Sequence, residues 1–186
     1  KMAAAYVRGI QANGVSACPK HFAVNSQELR RMASDSVLDE RTLREIYLTA
    51  FEIVVKESAP KTIMSSYNQV NGVYANENPH LLSEILRKEW GFDGFVVTDY
   101  TAISEMIDHG IGDLQEVSAR ALTAGTDMDM VADGFIGTLE KSLKEGKVTE
   151  ADIDKACRRI MEDKYKLGLF ANPYKYCDVK RAEKEV

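Results

Sequence analysis

The run Phe95-Val96-Val97-Thr98 constrains the fold most, because three apolar, β-forming residues follow one another with no polar residue between them. A strand wetted on one face alternates apolar and polar residues, so this one reads as covered on both faces, as in a parallel sheet layered with helices. The turn Gly91-Phe92-Asp93-Gly94 leads into it and a single carboxylate, Asp99, ends it. Chemistry in parallel α/β sheets gathers at the carboxyl ends of the strands, which makes Asp99 the first candidate for a functional residue.

The same pattern recurs. Val15 to Cys18, Thr62 to Ser65 and Thr126 to Met130 read as further strands, separated by segments of helical period. A first helix is expected over residues 2–12, closed by Asn13-Gly14, residues tolerant of positive φ. A long amphipathic helix follows over about 40–57, with Leu43, Ile46, Tyr47, Ala50, Phe51, Val54 and Val55 on one face. Pro79 opens a helix to Trp90 at a position where its missing N–H does no harm. Shorter helices are expected over 102–109, 113–124 and 133–145, and Thr149-Glu150-Ala151-Asp152 starts a last one like a capping box. Four alternations of strand and helix make a parallel βαβ topology the economical reading. The fold class is therefore α/β, part of a (β/α)8 TIM barrel with about four βα units. A closed barrel typically needs ~250 residues, and this chain has 186.

Composition narrows the function classes. Hydrophobic residues at 45% and charged residues at 28% suit a folded globular domain, and a net charge of -5 argues against a nucleic-acid partner, which would need a basic face. No apolar run reaches the ~18 residues of a membrane helix, and no signal segment is recognisable. The chain opens with Lys1 and runs almost at once into helix, so the true N-terminus is expected upstream. Cys18, Cys157 and Cys177 form no Cys-x-x-Cys pair and read as free thiols, Cys18 as a small buried strand residue. Asp127 and Asp129 share one strand face by their period-2 spacing. No further ligand cluster accompanies them, so structural hydrogen bonding is favoured over a metal. Neither metal nor cofactor is implied.

Polar clusters stand at the strand ends: Lys20-His21, Ser66-Tyr67-Asn68, Asp99-Tyr100 and the Asp127/Asp129 pair. In a barrel these converge on one mouth, together with the long polar connection over residues 25–36. A carboxylate facing Lys20 and an arginine from that loop is favoured in its ionised, nucleophilic form by opposite charge. Such donors around an apolar floor suit a polyhydroxylated substrate. Taken singly, each residue has a plainer reading: Asp99 as a helix N-cap, His21 as a structural histidine, Met64 as core, His109 as a helix C-terminal residue. Lys20 alone also fits a Schiff-base lysine at a barrel strand end, as in an aldolase. Tyr67, following a strand end, favours a contact role.

Beyond these readings, the chain resembles a known family. Lys20-His21-Phe22, Asn25-Ser26-Gln27-Glu28 with Arg31-Met32, Asp39 to Tyr47, Met64 to Gly72 and Trp90 to Asp99 are similar, in order and spacing, to glycoside hydrolase family 3 β-glucosidases. The resemblance runs from residue 1 to about 176, and Asp108 to Leu114 with Lys166 to Phe170 look most like the bacterial periplasmic branch. It implies retaining hydrolysis of terminal β-D-glucosides. Asp99 falls on the catalytic nucleophile, and Lys20, His21, Arg31 and Tyr67 fall on positions that hold the hydroxyls of the glycone. Met64 and Tyr100 are further candidate substrate contacts, Met64 as subsite floor and Tyr100 where many members carry Trp. Ala23-Val24-Asn25 stands where the β-N-acetylglucosaminidase branch has Gly-His-Gly, which disfavours a hexosaminidase.

Residues 1–171 would then be the C-terminal portion of the glycosidase barrel, and 172–186 a linker or tail toward a following domain. The acid/base would be a glutamate of a following α/β sandwich domain, and a glycone-binding aspartate would lie in earlier barrel strands. Alone, the chain is expected not to turn over substrate and to need both missing parts as partners beside its β-glucoside or oligosaccharide substrate. The resemblance places such enzymes in the periplasm or outside the cell. The competing reading is a non-catalytic barrel piece that binds sugar or serves a structural role.

Overall fold

The computed structural model describes residues 1–185. Val186, the last residue of the expected tail, lies outside the described residues. Helix α1 (Met2–Ala12) is closed by Asn13 and turned by Gly14 at φ 76°. A two-residue strand, β1 (Asp35–Ser36), ends the long polar loop. Helix α2 runs over residues 40–58, beginning where Asp39 Oδ1 accepts from the Thr42 N–H at 2.9 Å. Its Leu43–Leu48 stretch is wound as a π-helix, and its end is a left-handed Ala59. Strand β2 (Thr62–Met64) and a hairpin of β3 (Gln69–Val70) and β4 (Val73–Tyr74) follow. Then come α3 (His80–Glu89), also π-wound, and β5 (Phe95–Val97). The remaining helices are α4 (Ala102–Asp108), α5 (Leu114–Ala124), α6 (Gly134–Lys144), α7 (Glu150–Lys166) and α8 (Val179–Glu185). The capping box expected from Thr149 and Asp152 is present at the start of α7.

β2 and β5 pair in parallel with Ile63 opposite Val96 and Met64 opposite Val97. Two extended segments flank them, each through a single bridge: Phe22 with Ser65, and Val97 with Met128, both parallel. The first segment is tied to β2 by Thr62 N–H to Ala17 O (3.3 Å), Met64 N–H to Pro19 O (3.2 Å) and Phe22 N–H to Met64 O (2.8 Å). Neither flank is the regular strand that the sequence led us to expect. Pro19 has no N–H to continue a ladder. On the other side Val96 O accepts from both Asp127 N–H (2.9 Å) and Met128 N–H (3.0 Å), a bulged pairing that breaks the register. Spatial order still follows chain order across four parallel neighbours, which is how a barrel wall is wound.

The two faces of this wall differ. Ile63 and Val96 pack with Leu82, Ile85 and Leu86 of α3, with Leu43, Leu48 and Val55 of α2, and with Phe22, Trp90 and Phe92. Phe22 meets Phe51 and Trp90 edge-on, at ring centroid distances of 5.1 and 6.0 Å. Gly94 lets the turn into β5 pass under the Lys61 carbonyl, which a Cβ there would approach to 2.2 Å. The register sets Met64, Val97 and Met128 in one row on the other face, where Met64 and Met128 are half-buried.

Asp127 ties the layers together. Its carboxylate, 1% exposed, accepts from the Val96 N–H at 2.8 Å and pairs with Arg87 of α3 and, at 2.7 Å, with Arg159 of α7. Burial pulls the Arg87 guanidinium down to about 10 and pushes the Asp127 carboxyl up, against the lowering pull of the two arginines. Asp129 Oδ2 instead accepts from Gly134 N–H (2.7 Å) and Phe135 N–H (3.3 Å) at the start of α6. Among the described residues no cluster of three or more His, Cys, Asp or Glu side chains could hold a metal ion, and no helix is long and apolar enough to cross a membrane.

Cys18 departs from expectation: it is exposed rather than buried, lining the open groove beside α1. The segment expected as a linker or tail carries the short helix α8, and its Tyr176 ring lies against Gly14.

Candidate functional site

The period of a strand puts residues 95, 97 and 99 on one face, so Asp99 stands at the carboxyl end of β5 in line with Val97 and beside the Met64 row. His21 comes to it from the neighbouring strand end but one. The Nε2 of His21 lies 3.1 Å from Asp99 Oδ2, the two side chains being 25% and 15% exposed. Burial, helped by the Lys20 and Arg31 charges, lowers the affinity of His21 for a proton, and the Asp99 carboxylate opposes this without reversing it. Burial thus favours the neutral imidazole, and the two side chains lie in contact at the strand ends. The other Asp99 oxygen, Oδ1, accepts from the Tyr100 N–H at 2.7 Å.

Tyr67, at the carboxyl end of the strand between them, completes the cluster. Its hydroxyl donates to the Tyr100 carbonyl at 2.5 Å, and burial, then the Asp99 charge, raise its pKa, so the phenol keeps its proton. Arg31 reaches in from the polar loop, its guanidinium 4.7 Å from the centre of the Tyr67 ring, while Glu28 pairs with it at 3.0 Å. Tyr100 contributes its backbone to the cluster and is itself 58% exposed. Lys20 is exposed and has no hydrogen bond or ion pair among the described residues. Asp127 and Asp129 are committed elsewhere and take no part. His109 caps α4 at its C-terminal end and stacks on Tyr74, ring centroids 5.9 Å apart.

Sequence reasoning missed how the arginine is held. The hairpin after β2 and the polar loop join in a three-stranded sheet of order β1-β3-β4, with Asp35 opposite Gln69 and Ser36 opposite Val70. Asn68 Nδ2 donates to the carbonyls of Ala23 (3.2 Å) and Val24 (3.3 Å), and the Tyr74 hydroxyl donates to Met32 O at 3.1 Å. No local signal reveals that β1 pairs with β3 across more than thirty residues of sequence. Several bulky residues on this rim have left-handed backbone, Val24 at φ 64°, Thr101 at 55° and Val131 at 68°. β-branched residues rarely adopt that conformation, and strain of this kind gathers at functional sites.

The family profile described as the glycosyl hydrolase family 3 N terminal domain matches residues 1–162. The chain belongs to this family. Its α/β wall is accordingly part of a TIM-type barrel. Over 164 residues it is 41% identical to thermostable beta-glucosidase B of Acetivibrio thermocellus, a match covering 87% of this chain and 20% of that protein. It is 36% identical over 172 residues to the exo-alpha-(1->6)-L-arabinopyranosidase of Bifidobacterium longum, covering 91% of this chain and 21% of that protein. Among solved structures, beta-glucosidase 3B from Thermotoga neapolitana in complex with glucose is similar with a TM-score of 0.82 and 39% identity, over 98% of this chain and 26% of that one. The chain spans about a fifth of the length of the curated relatives it matches.

Proposed function

We propose that this family 3 chain supplies the nucleophile and part of the glycone subsite of a longer, exo-acting retaining β-glucosidase. The observation that carries the reading is the 3.1 Å contact of His21 with Asp99 at the carboxyl end of β5, with Tyr67 and Arg31 grouped on the same rim. Glucose in the solved complex of the Thermotoga neapolitana relative and the beta-glucosidase names of several relatives support the substrate class.

In this reading Asp99 attacks the anomeric carbon as the bond to the aglycone oxygen breaks, through an oxocarbenium-like transition state, leaving a glycosyl ester on the carboxylate. Water then cleaves the ester with net retention. A second carboxyl group ~5–5.5 Å away must protonate the leaving oxygen and later activate the water. Glu28 is engaged with Arg31, and we assign the acid/base to a domain outside this chain. The Tyr100 N–H holds Oδ1 of the nucleophile at 2.7 Å, and His21 lies against Oδ2 at 3.1 Å beside the glycone. Arg31 and Lys20 offer donors to sugar hydroxyls and the Tyr67 phenol oxygen, its proton given to the Tyr100 carbonyl, offers an acceptor, with Met64 as floor and the exposed Tyr100 ring facing the aglycone side.

The test is covalent trapping in the full-length protein with a 2-deoxy-2-fluoro-β-glucoside bearing a good leaving group, followed by peptide mapping. The label is expected on Asp99, and Asp99→Asn is expected to lower kcat by about 10³-fold or more. A label on any other residue overturns the assignment. Sugar binding without turnover by the full-length protein would favour a non-catalytic barrel piece. The arabinopyranosidase relative makes arabinopyranosides and xylosides the comparison substrates, with the glucoside expected to have the highest kcat/KM.

A further inference from the structure

Arg31 lies in a stretch, residues 25–34, with no regular structure and little apolar anchoring; Leu29 is 76% exposed. Turn hydrogen bonds within the stretch (Arg31 N–H to Glu28 O, 3.2 Å; Ser34 N–H to Arg30 O, 2.9 Å) and the Glu28 pair shape it locally, and hydrogen bonds made beyond it join it to the rest of the chain. Those bonds converge on the hairpin. Gln69 N–H donates to Ser34 O (3.0 Å), Asn71 N–H to Ser36 O (3.2 Å) and Gly72 N–H to Asp35 Oδ1 (3.0 Å). Beyond the last backbone pair, the Asn71 side chain takes over. Its Oδ1 accepts from the Leu38 N–H and its Nδ2 donates to the Leu38 carbonyl, both at 2.9 Å. The amide thus imitates one more residue of strand.

We propose that Asn71 is a positioning residue for Arg31, and through it for the glycone. This rests on the β-glucosidase reading above. The geometry closes a ring: Tyr67 and Asn71 lie on one connection, Arg31 and Leu38 on the other, and the amide pair at one end fixes how the guanidinium meets the phenol ring at the other. Asn71 is exposed and touches none of His21, Tyr67 and Asp99. Two demands select asparagine here. The residue has φ 52°, a left-handed conformation that Asn tolerates better than most, and it must offer a donor and an acceptor from one planar group. Aspartate meets the first demand but, ionised, only accepts, and turns a carboxylate oxygen toward the Leu38 carbonyl. Glycine keeps the backbone and removes both bonds.

The experiment uses Asn71→Gly and Asn71→Asp in the full-length protein, alone and combined with Arg31→Gln. If the clasp acts by populating the loop state in which Arg31 is in place, its loss raises KM for an aryl β-glucoside about five- to tenfold and leaves kcat within about twofold. In the Arg31→Gln background the same substitutions then add nothing further. Losses that add in full, or an unchanged KM, overturn the proposal. Hydrogen exchange decides the structural half without any substrate: the backbone of residues 25–38 is expected to exchange faster in Asn71→Gly, while residues 95–99 are unaffected. Unchanged protection of the loop also overturns it. Absence of label on Asp99 in the unmutated protein overturns the β-glucosidase reading and the substrate role of Arg31 with it, leaving the exchange result to judge the clasp alone.

Discussion

His21 is under opposed influences: burial and the cations Lys20 and Arg31 favour the neutral ring, while the Asp99 carboxylate, and more weakly Glu28, favour the charged one. Burial prevails, so His21 titrates below the ordinary histidine value of 6.5. Since folding favours the neutral form, the contribution of this residue to stability is complete above pH 6.5 and declines as the pH falls through the folded-state value. Asp99→Asn removes the largest opposing influence and is expected to move the titration lower still. Carbon-13 labelling of the histidine rings, of which this chain has three, would follow this directly by NMR; an unchanged or raised midpoint in the variant would contradict the contact. The placement of Asp99, His21 and Tyr67 at neighbouring strand ends was legible because each follows an apolar, β-forming run. The exposure of Cys18 was not legible because a thiol in an apolar run looks the same whether or not the face it projects from is covered.

The helices follow from local chemistry: the caps at Asp39, Asp113 and Thr149 start α2, α5 and α7 within a residue or so of the expected places. The strands were harder. Hydrophobic runs located all four neighbours, yet the irregular pairing of the two flanks depends on a missing Pro19 N–H and a doubled contact at Val96 O, which apolar periodicity does not register. The Arg87–Asp127–Arg159 group was equally hidden, since it joins three elements far apart in sequence. Asp127 is the anion between two largely buried cations, with Arg87 10% and Arg159 21% exposed. Asp127→Asn keeps an acceptor for the Val96 N–H but leaves both guanidiniums uncompensated, and is expected to destabilise the fold by about 3–5 kcal/mol. Chemical denaturation of the variant measures this; a loss below about 1 kcal/mol would mean the arginines find other partners or water.

At the scale of the whole molecule, the chain is a wall with helices on one side and a site on its rim. Its apolar surface is not confined to the layered face: Met2 is 85%, Tyr6 73% and Val15 55% exposed, and α1 borders an apolar groove of about 700 Å³ that includes Phe51 and Val54. The Asp99 cluster does not lie in that groove. The barrel class was legible in four recurring strand and helix units, whereas the small sheet that holds the polar loop required pairing over more than thirty residues and was not. The row of Met64, Val97 and Met128 bears two thioethers on the unlayered face. Peroxide therefore has a path to their sulfur atoms in this chain by itself, and conversion to sulfoxide would make that apolar strip polar. Mass spectrometry should find both oxidised faster here than in a longer polypeptide whose remaining strands roof the strip over, while Met106, fully enclosed between α4 and α5, stays reduced in each. Equal rates would mean that nothing ever covers it; unequal ones would turn two methionines into a gauge of how completely the cylinder has shut.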